Sequence, residues 1–346
     1  MNFANLKQSF KKHLIQALLP AVLAVPLPLA AAPEVRLAVP SSFELPKDAL
    51  AAFEQENRIK VAIVKMGAGN EMANRLILLR GKNPPADAVY GLDGINIHKV
   101  REAGVLATKQ PQCADTVVKL PGICAVDYGW VALNYDKKWF ARNKLPLPQT
   151  LEDLAKPQYR NLLAVPNPGT SGAGLSFLLA NIAGLGEEQA FAWWAQMRKN
   201  GVKTTKGWSE AYYTEFTLNG GSRPMMVGYA ASPAAEVFYS EGRLKAPDMG
   251  SLFLKGGVYL QTEGAAVLNH AKQPEAAAKL VRHLQSSTVQ RAIPAAMWMY
   301  PAVRRTPLHP AMIHAPIPKA HFSPRPERIA AKQKEWVGRW IRTVLK

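Results

Sequence analysis

Two rhythms of apolar and polar positions run along most of this chain. Val35–Val39 is a short apolar run that reads as a strand, Lys47–Asn57 carries helical spacing, and Lys60–Val64 returns as a strand. A strand, a helix and a strand in that order imply parallel pairing with the helix crossing the sheet. Glu71–Arg80 spaces Met72, Leu76 and Leu79 as a helix, and Ala86–Tyr90 is the next strand, ending in Gly91-Leu92-Asp93. After the Pro121-Gly122 break, Val126–Tyr135 alternates Tyr128, Trp130 and Ala132 with other residues, and this strand is expected to cross between two lobes.

The same rhythms continue in the second half. A helix near Leu151–Ala155, a strand over Leu162–Pro166 and the small-residue turn Gly169–Gly174 precede another helix. Glu187–Lys199 sets Phe191, Trp194 and Met197 on one face, and Ser209–Leu218 reads as a helix capped by Ser209. Pro224–Tyr229 is a strand leading into Ser232-Pro233, a helix start, while Val258–Leu268 reads as a returning strand pair or a bend. In Gln273–Gln285, Ala277, Leu280, Val281 and Leu284 share a face, with Glu275 early and Arg282 and His283 late, as a helix dipole favours. Ile329–Val344 forms a terminal helix striped by Ile329, Trp336, Val337, Trp340, Ile341 and Val344.

A length of 346 residues, 48% of them hydrophobic and 20% charged, suits a folded α/β protein of two lobes rather than a small module or a disordered chain. The formal charge is +18, concentrated toward the end: residues 301–346 hold ten Lys or Arg against Glu327 and Glu335. No helix-turn-helix, RNA-binding signature or zinc spacing accompanies this excess, so it reads as a solvated helix face and not as a nucleic-acid site. Lys7, Lys11 and Lys12, an apolar stretch from Leu14 to Leu29 and Ala30-Ala31-Ala32 have the order of a secretory leader, expected over 1–32. Later apolar runs are too short to span a membrane, and no cysteine near the processing site offers a lipid anchor, so contact with the membrane is expected to be peripheral only. Export makes Cys113 and Cys124, eleven positions apart, a candidate disulfide, with two buried thiols as the alternative.

Enzyme and cofactor signatures fail on inspection. Gly169-Thr170-Ser171-Gly172-Ala173 lacks the closing glycine of a serine-nucleophile elbow, and Gly67-Ala68-Gly69 has Met72 where a dinucleotide loop needs glycine. The histidines show no ligand spacing, and neither catalysis nor a metal is expected. What remains is binding chemistry. Trp208 sits at a glycine turn before a helix, where an indole either stacks on a flat or cationic ring or anchors the loop. Tyr229-Ala230-Ala231-Ser232 joins a strand end to a helix start and offers a phenol, a hydroxyl and backbone N–H groups. Ser171-Gly172 has similar potential for a hydroxyl or phosphate, with ordinary capping as the alternative. Trp298, after a helix break at Pro294, is either a cleft wall or core, and Asp93 is either a carboxylate for a cation or a turn cap.

Five segments carry a resemblance: Asn83–Asp93 (NPPADAVYGLD), Val126–Lys137 (VDYGWVALNYDK), Thr205–Tyr212 (TKGWSEAY), Tyr229–Pro233 (YAASP) and Ala292–Pro301 (AIPAAMWMYP). With these, the chain resembles the extracytoplasmic solute-binding proteins of ATP-driven importers, and among them the thiamine-binding branch. The resemblance implies a type II periplasmic-binding fold: two α/β lobes, 33–127 plus 232–296 and 128–231 plus 297–346, with a ligand cleft between them. It implies a periplasmic monomer without a cofactor that clasps thiamine or a thiamine phosphate ester and delivers it to a membrane permease. Gly69, Ser171, Gly172, Trp208 and Tyr229–Ser232 fall at matching binding positions, and Trp298 matches an aromatic near the site. The chain departs from the pattern at Ala68, where the family commonly carries an acid, at Pro40-Ser41-Ser42-Phe43, which replaces an aromatic-rich strand, and at Ala234-Ala235, where an aromatic is expected. Two rival readings are a ferric-ion binder of the same fold, suggested by Tyr212-Tyr213, and a secreted enzyme, for which no nucleophile and base pair is evident.

Overall fold

The strand β1 (Glu34–Val39), the helix α1 (Lys47–Asn57) and the strand β2 (Lys60–Lys65) form the opening β-α-β unit that the patterning predicts, with β1 and β2 parallel. This computed structural model describes residues 33–67, 69–81 and 83–346; the leader expected over 1–32 lies outside the described residues. There follow α2 (Gly69–Leu78), β3 (Ala88–Asp93), α3 (Ile97–Glu102), the long strand β4 (Cys124–Asp136), α4 (Lys137–Arg142), α5 (Leu151–Leu154), β5 (Leu163–Pro166), α6 (Gly172–Leu185) and α7 (Glu187–Lys199). The rest of the chain forms β6 (Lys203–Thr205), α8 (Trp208–Glu210), β7 (Met225–Tyr229), α9 (Ser232–Tyr239), β8 (Met249–Leu252), β9 (Tyr259–Val267), α10 (Pro274–Leu284), α11 (Ser287–Ala296), β10 (Tyr300–Pro301) and α12 (Pro326–Val344).

The strand order β2-β1-β3-β9-β4-β7-β5-β6 joins two parallel groups through an antiparallel centre. Strand β4 does the joining: Cys124–Val131 pairs with β9, and Val131–Tyr135 pairs with β7. The apolar stripes read from sequence cover both groups. Phe53, Leu280, Val281 and Ile293 from α1, α10 and α11 are buried on one face of β1, β3 and β9, and Met72, Leu76, Ile97 and Val100 from α2 and α3 pack on the other. In the second group, Phe177, Trp194, Trp336 and Trp340 tie α6, α7 and α12 to Leu133 and Val165. Helix α6 is apolar nearly all round and buried from Ala173 to Ile182, as expected for a helix enclosed on every side. Helix α9 packs on β8 and on the 3-10 turn Pro310–His314.

Local departures from the sequence reading have identifiable causes. Strand β3 runs through Gly91 to Asp93 because Gly91, at φ +93°, forms a bulge; a Cβ there would meet Pro40 at 2.7 Å. Val258–Leu268 is one strand rather than a pair, its paired residues being those of β9. The helix expected over Ser209–Leu218 is instead a short turn of α8, a π turn over Ala211–Glu215 and a 3-10 turn over Thr217–Asn219. Gly207, not Ser209, stands at its N-cap. The widened turn leaves room for Gly221 against the Glu215 backbone, where a Cβ would lie 2.1 Å away. Pro294 does not break α11, which continues to Ala296. Cys113 and Cys124 form a disulfide that ties the preceding loop to the start of β4.

Candidate functional site

Between the two halves lies a cleft of about 810 Å3. One wall comes from loops at the ends of β5, β6 and β7. Ser171 caps α6, its hydroxyl accepting the Gly174 N–H at 3.5 Å, and the first residue of the helix, Gly172, is exposed to the cleft. Gly174 seats the helix on β5: a Cβ there would meet the Pro166 carbonyl at 2.1 Å. Free N–H groups in this first turn and the positive end of the helix dipole suit an anionic or hydroxyl group.

Beside them stands an aromatic bank. Trp208 stacks on Tyr212 with centroids 4.9 Å apart and planes 11° from parallel, and lies tilted to Tyr229 at 6.1 Å. The indole reaches this place because β7 presents Gly228 beneath it; a Cβ would lie 3.3 Å from Trp208 Nε1 and 2.2 Å from Asn134 Oδ1. Trp208 Nε1–H is buried and makes no hydrogen bond within the described residues. The Tyr229 phenol is pushed up to about 12 by burial, then by Glu263 and Asp93, so it stays a neutral donor.

The opposite wall is α9 with the segment after α11. Trp298 Nε1 donates to Tyr239 Oη at 3.2 Å, and Phe238 packs edge-on to the indole at 5.2 Å. Trp298 has φ +53°, one residue beyond the C-cap of α11, where glycine is the usual occupant. A bulky side chain held in this region carries local strain, which proteins concentrate at binding sites. Ser232, Ala235 and Glu236 complete this side, Ser41 and Ser42 line the rim, and Gln261 and Glu263 of β9 form the floor. Gln261 Nε2 donates to Glu263 Oε1 at 2.7 Å. Burial raises the Glu263 carboxyl despite that bond.

The structure thus brings Ser171, Gly172, Trp208, Tyr229, Ser232 and Trp298 together around one cleft. Gly69, Asp93, Ala230 and Ala231 stand outside its lining. Gly69 opens α2, with Asn96 and the Gly91 carbonyl nearest. Ala230 and Ala231 are buried, and the Ala230 backbone is already engaged by the Trp130 carbonyl and the Ser251 hydroxyl. Asp93 accepts the Ile95 and Asn96 N–H groups at 2.9 and 3.0 Å, the turn-capping alternative, and its carboxyl is pushed up to about 7 by burial and then by Glu263. Sequence patterning does not find Tyr239 or Glu263. Tyr239 lies one helical turn beyond Ala235, so the aromatic absent at Ala234-Ala235 is supplied from the same face. Glu263 carries a weaker signal, a carboxylate in an otherwise apolar and polar-neutral strand.

A cleft with aromatic walls and a helix N-terminus at one edge, set between two α/β halves joined by long strands, defines a solute-binding protein. The family described as bacterial extracellular solute-binding protein matches residues 92–323, and the chain belongs to it. More particularly, the thiamine-binding periplasmic protein of Escherichia coli strain K12 is 33% identical over 301 residues, spanning 85% of this chain and 86% of that protein. Its counterpart in Brucella melitensis biotype 1 is 32% identical, covering 84% of each chain. Among solved structures, a periplasmic thiamin binding protein superposes with a TM-score of 0.76 at 30% identity, covering 92% of this chain and 99% of that one. A Bordetella ferric binding protein superposes at 0.68 with 22% identity, over 90% of this chain and 98% of that one, a likeness of fold alone. The fold is the type II periplasmic-binding fold.

Proposed function

We propose that this chain is the substrate-binding component of an ATP-driven importer, which holds thiamine or a thiamine phosphate ester in its cleft and delivers it to a membrane permease. It acts as a periplasmic monomer after loss of the 1–32 leader, needs no cofactor and catalyses nothing. The observation that carries this reading is the pair of facing aromatic banks, Trp208 with Tyr212 and Tyr229 on one side and Trp298 with Tyr239 on the other. Thiamine consists of two flat rings, one with a fixed positive charge, and a desolvated indole face contributes about 2 kcal/mol toward holding such a cation. Ser171 and Gly172 at the start of α6 suit a hydroxyl or phosphate tail. The thiamine-binding relatives support the same ligand.

The lobes of this reading are 33–127 plus 232–296 and 128–231 plus 297–346. They open and close about β4 and the Tyr229–Ser232 crossing, and ligand stabilises the closed form by its preference for that form. Titration calorimetry of the exported protein with thiamine, its monophosphate and its diphosphate tests the assignment. Saturable heat from at least one is expected, and none from any rejects it. The paired phenols Tyr212 and Tyr213 also line the cleft, which keeps ferric ion as a second reading. Against it, Tyr212 lies flat on Trp208 and burial raises its phenol, which disfavours phenolate. Among the described residues, no group of three His, Cys, Asp or Glu is placed to hold a metal. A phenolate-to-iron absorption band on adding ferric ion would reverse this preference.

A further inference from the structure

The geometry points to Glu263 as the residue that selects a positively charged ring, by exchanging a proton held at the cleft floor for the ligand's own charge. This inference rests on the function proposed above and adds the source of the counter-charge.

Three carboxyl groups cross three neighbouring strands in one row: Asp93 of β3 is the register partner of Glu263 of β9, which is in turn the partner of Asp127 of β4. Like charges directly opposite one another in a sheet repel. Among the described residues, none of the three has a Lys, Arg or His within ion-pair distance. Two of them stand outside the cleft lining. Asp93 caps the turn into α3, and Asp127 is fully buried, taking the Tyr90 hydroxyl on one oxygen while its Oδ1 has no partner. Glu263 is the member that lines the cleft. Apart from the Gln261 amide that donates to it, the groups that act on it are acidic or phenolic: Asp93 and Tyr90 from β3, Asp127 from β4 and Tyr229 from β7. Lys99 of α3 acts only on Asp93 from a distance, while Glu236 and Arg243 line the cleft above.

Neighbouring carboxyls in a desolvated place cannot all ionise, so the row retains protons near neutrality. Burial raises Glu263 and Asp127, in keeping with this. A thiazolium over Glu263 supplies by ion pairing the positive charge that the proton supplied covalently. One carboxylic O–H bond breaks, its proton passes to buffer, and the ring is chemically unchanged. A neutral ring of the same shape has nothing to exchange. The row also offers a cation a favourable place in a chain whose formal charge over all 346 residues is +18.

The test is calorimetry of thiamine binding to the wild-type protein and to Glu263→Gln, from about pH 6 to about 8.5, in two buffers of different ionisation enthalpy. A neutral analogue with thiophene in place of thiazolium is titrated in parallel. For the wild type, affinity for thiamine should rise with pH, approaching tenfold per pH unit where a full proton is displaced, with that proton appearing in the buffer. The neutral analogue should show neither effect. Glu263→Gln should weaken thiamine at least about tenfold at the highest pH, flatten the profile and leave the analogue unchanged. It should melt no lower than the wild type, because it removes one of three adjacent groups that compete to ionise and its amide oxygen can still accept from Gln261. A Gln variant that binds thiamine as the wild type does, or wild-type binding that is independent of pH and releases no proton, overturns the inference alone. If the variant does not fold, the wild-type proton count and the analogue comparison still separate exchange from its absence. No heat from thiamine or its phosphates at any pH removes both this inference and the function on which it rests.

Discussion

Replacing Trp208 with alanine separates a ligand platform from a loop anchor, because the two roles affect different measurements. The indole is half-buried, stacked on Tyr212 and tilted to Tyr229, and its N–H has no partner within the described residues. Loss of the stack on Tyr212 should cost the fold about 1 kcal/mol, a fall of about 2 °C in melting temperature for a chain of this size. Loss of the face against a cationic ring removes about 2 kcal/mol of binding. This weakens the dissociation constant for thiamine roughly 30-fold. Trp208→Phe keeps a smaller aromatic face, so it should fall between, at about fivefold. Calorimetry gives the affinities and a thermal melt without ligand gives the stability. Near wild-type affinity in the alanine variant, combined with a steep loss of stability, would refute the platform role and leave Trp208 as a cover for the end of its helix.

Three further outcomes follow from local geometry. Gly228→Ala places a Cβ 2.2 Å from Asn134 Oδ1, disturbing the bonds from Asn134 to the Tyr229 carbonyl and the Ser251 hydroxyl; urea unfolding should show a loss of about 1 to 3 kcal/mol, with weaker ligand binding as Trp208 is pushed aside. Replacing Cys113 and Cys124 together by serine should cost about 3 kcal/mol in the same assay, and reducing agent should then change the wild type but not the variant. Burial raises the Asp87 carboxyl, but bonds from Arg36 and the Lys272 N–H hold it below its usual value overall. Its contribution is therefore present above the unfolded carboxyl value of about 3.9 and lost as pH falls through the lower folded value. Asp87→Asn leaves Arg36 without its partner and should cost about 3 to 5 kcal/mol near neutrality, a difference that shrinks in acid.

The sheet-forming runs and long helices were legible because burial imposes a period on sequence. Leu280, Val281 and Leu284 could share a face only as a helix, and Tyr128, Trp130 and Ala132 only as a strand. Site residues that sit on strand ends and turns, such as Trp208 and Tyr229, were legible for the same reason, since the periodic runs on either side locate the turn. Glu263 was not, because what makes it distinctive is its register against Asp93 and Asp127, more than a hundred residues away along the chain. The π turn at Ala211–Glu215 was hidden because its apolar residues fit an α-helix equally well; close packing of Gly221 against its backbone marks the difference. Trp298 read equally as wall or core, since only the fold reveals that its backbone turns left-handed and presents the indole to Tyr239.

The positive charge of the chain and the carboxyl row at the floor of its cleft act over different distances. Much of the excess near the C-terminus is engaged locally: Arg328 and Lys332 of α12 reach Glu187 at 3.0 and 3.7 Å, and Arg339 grips Glu188 with two bonds of 2.7 Å while lying over the Phe191 ring. The basic stripe of α12 thus fastens that helix to α7, beside the buried contact of Trp194 with Trp340. At physiological ionic strength the remaining surface charge is screened within about 8 Å, whereas carboxyls under the cleft floor act through a medium of low dielectric with little screening. Added salt should therefore change the rate at which a cationic ligand arrives more than the rate at which it leaves, and stopped-flow quenching of tryptophan fluorescence, with Trp208 and Trp298 lining the cleft, separates the two across salt concentrations. A dissociation rate that rises steeply with salt would mean that ions reach Glu263 freely, and that the floor is too wet to act as an exchangeable counter-charge.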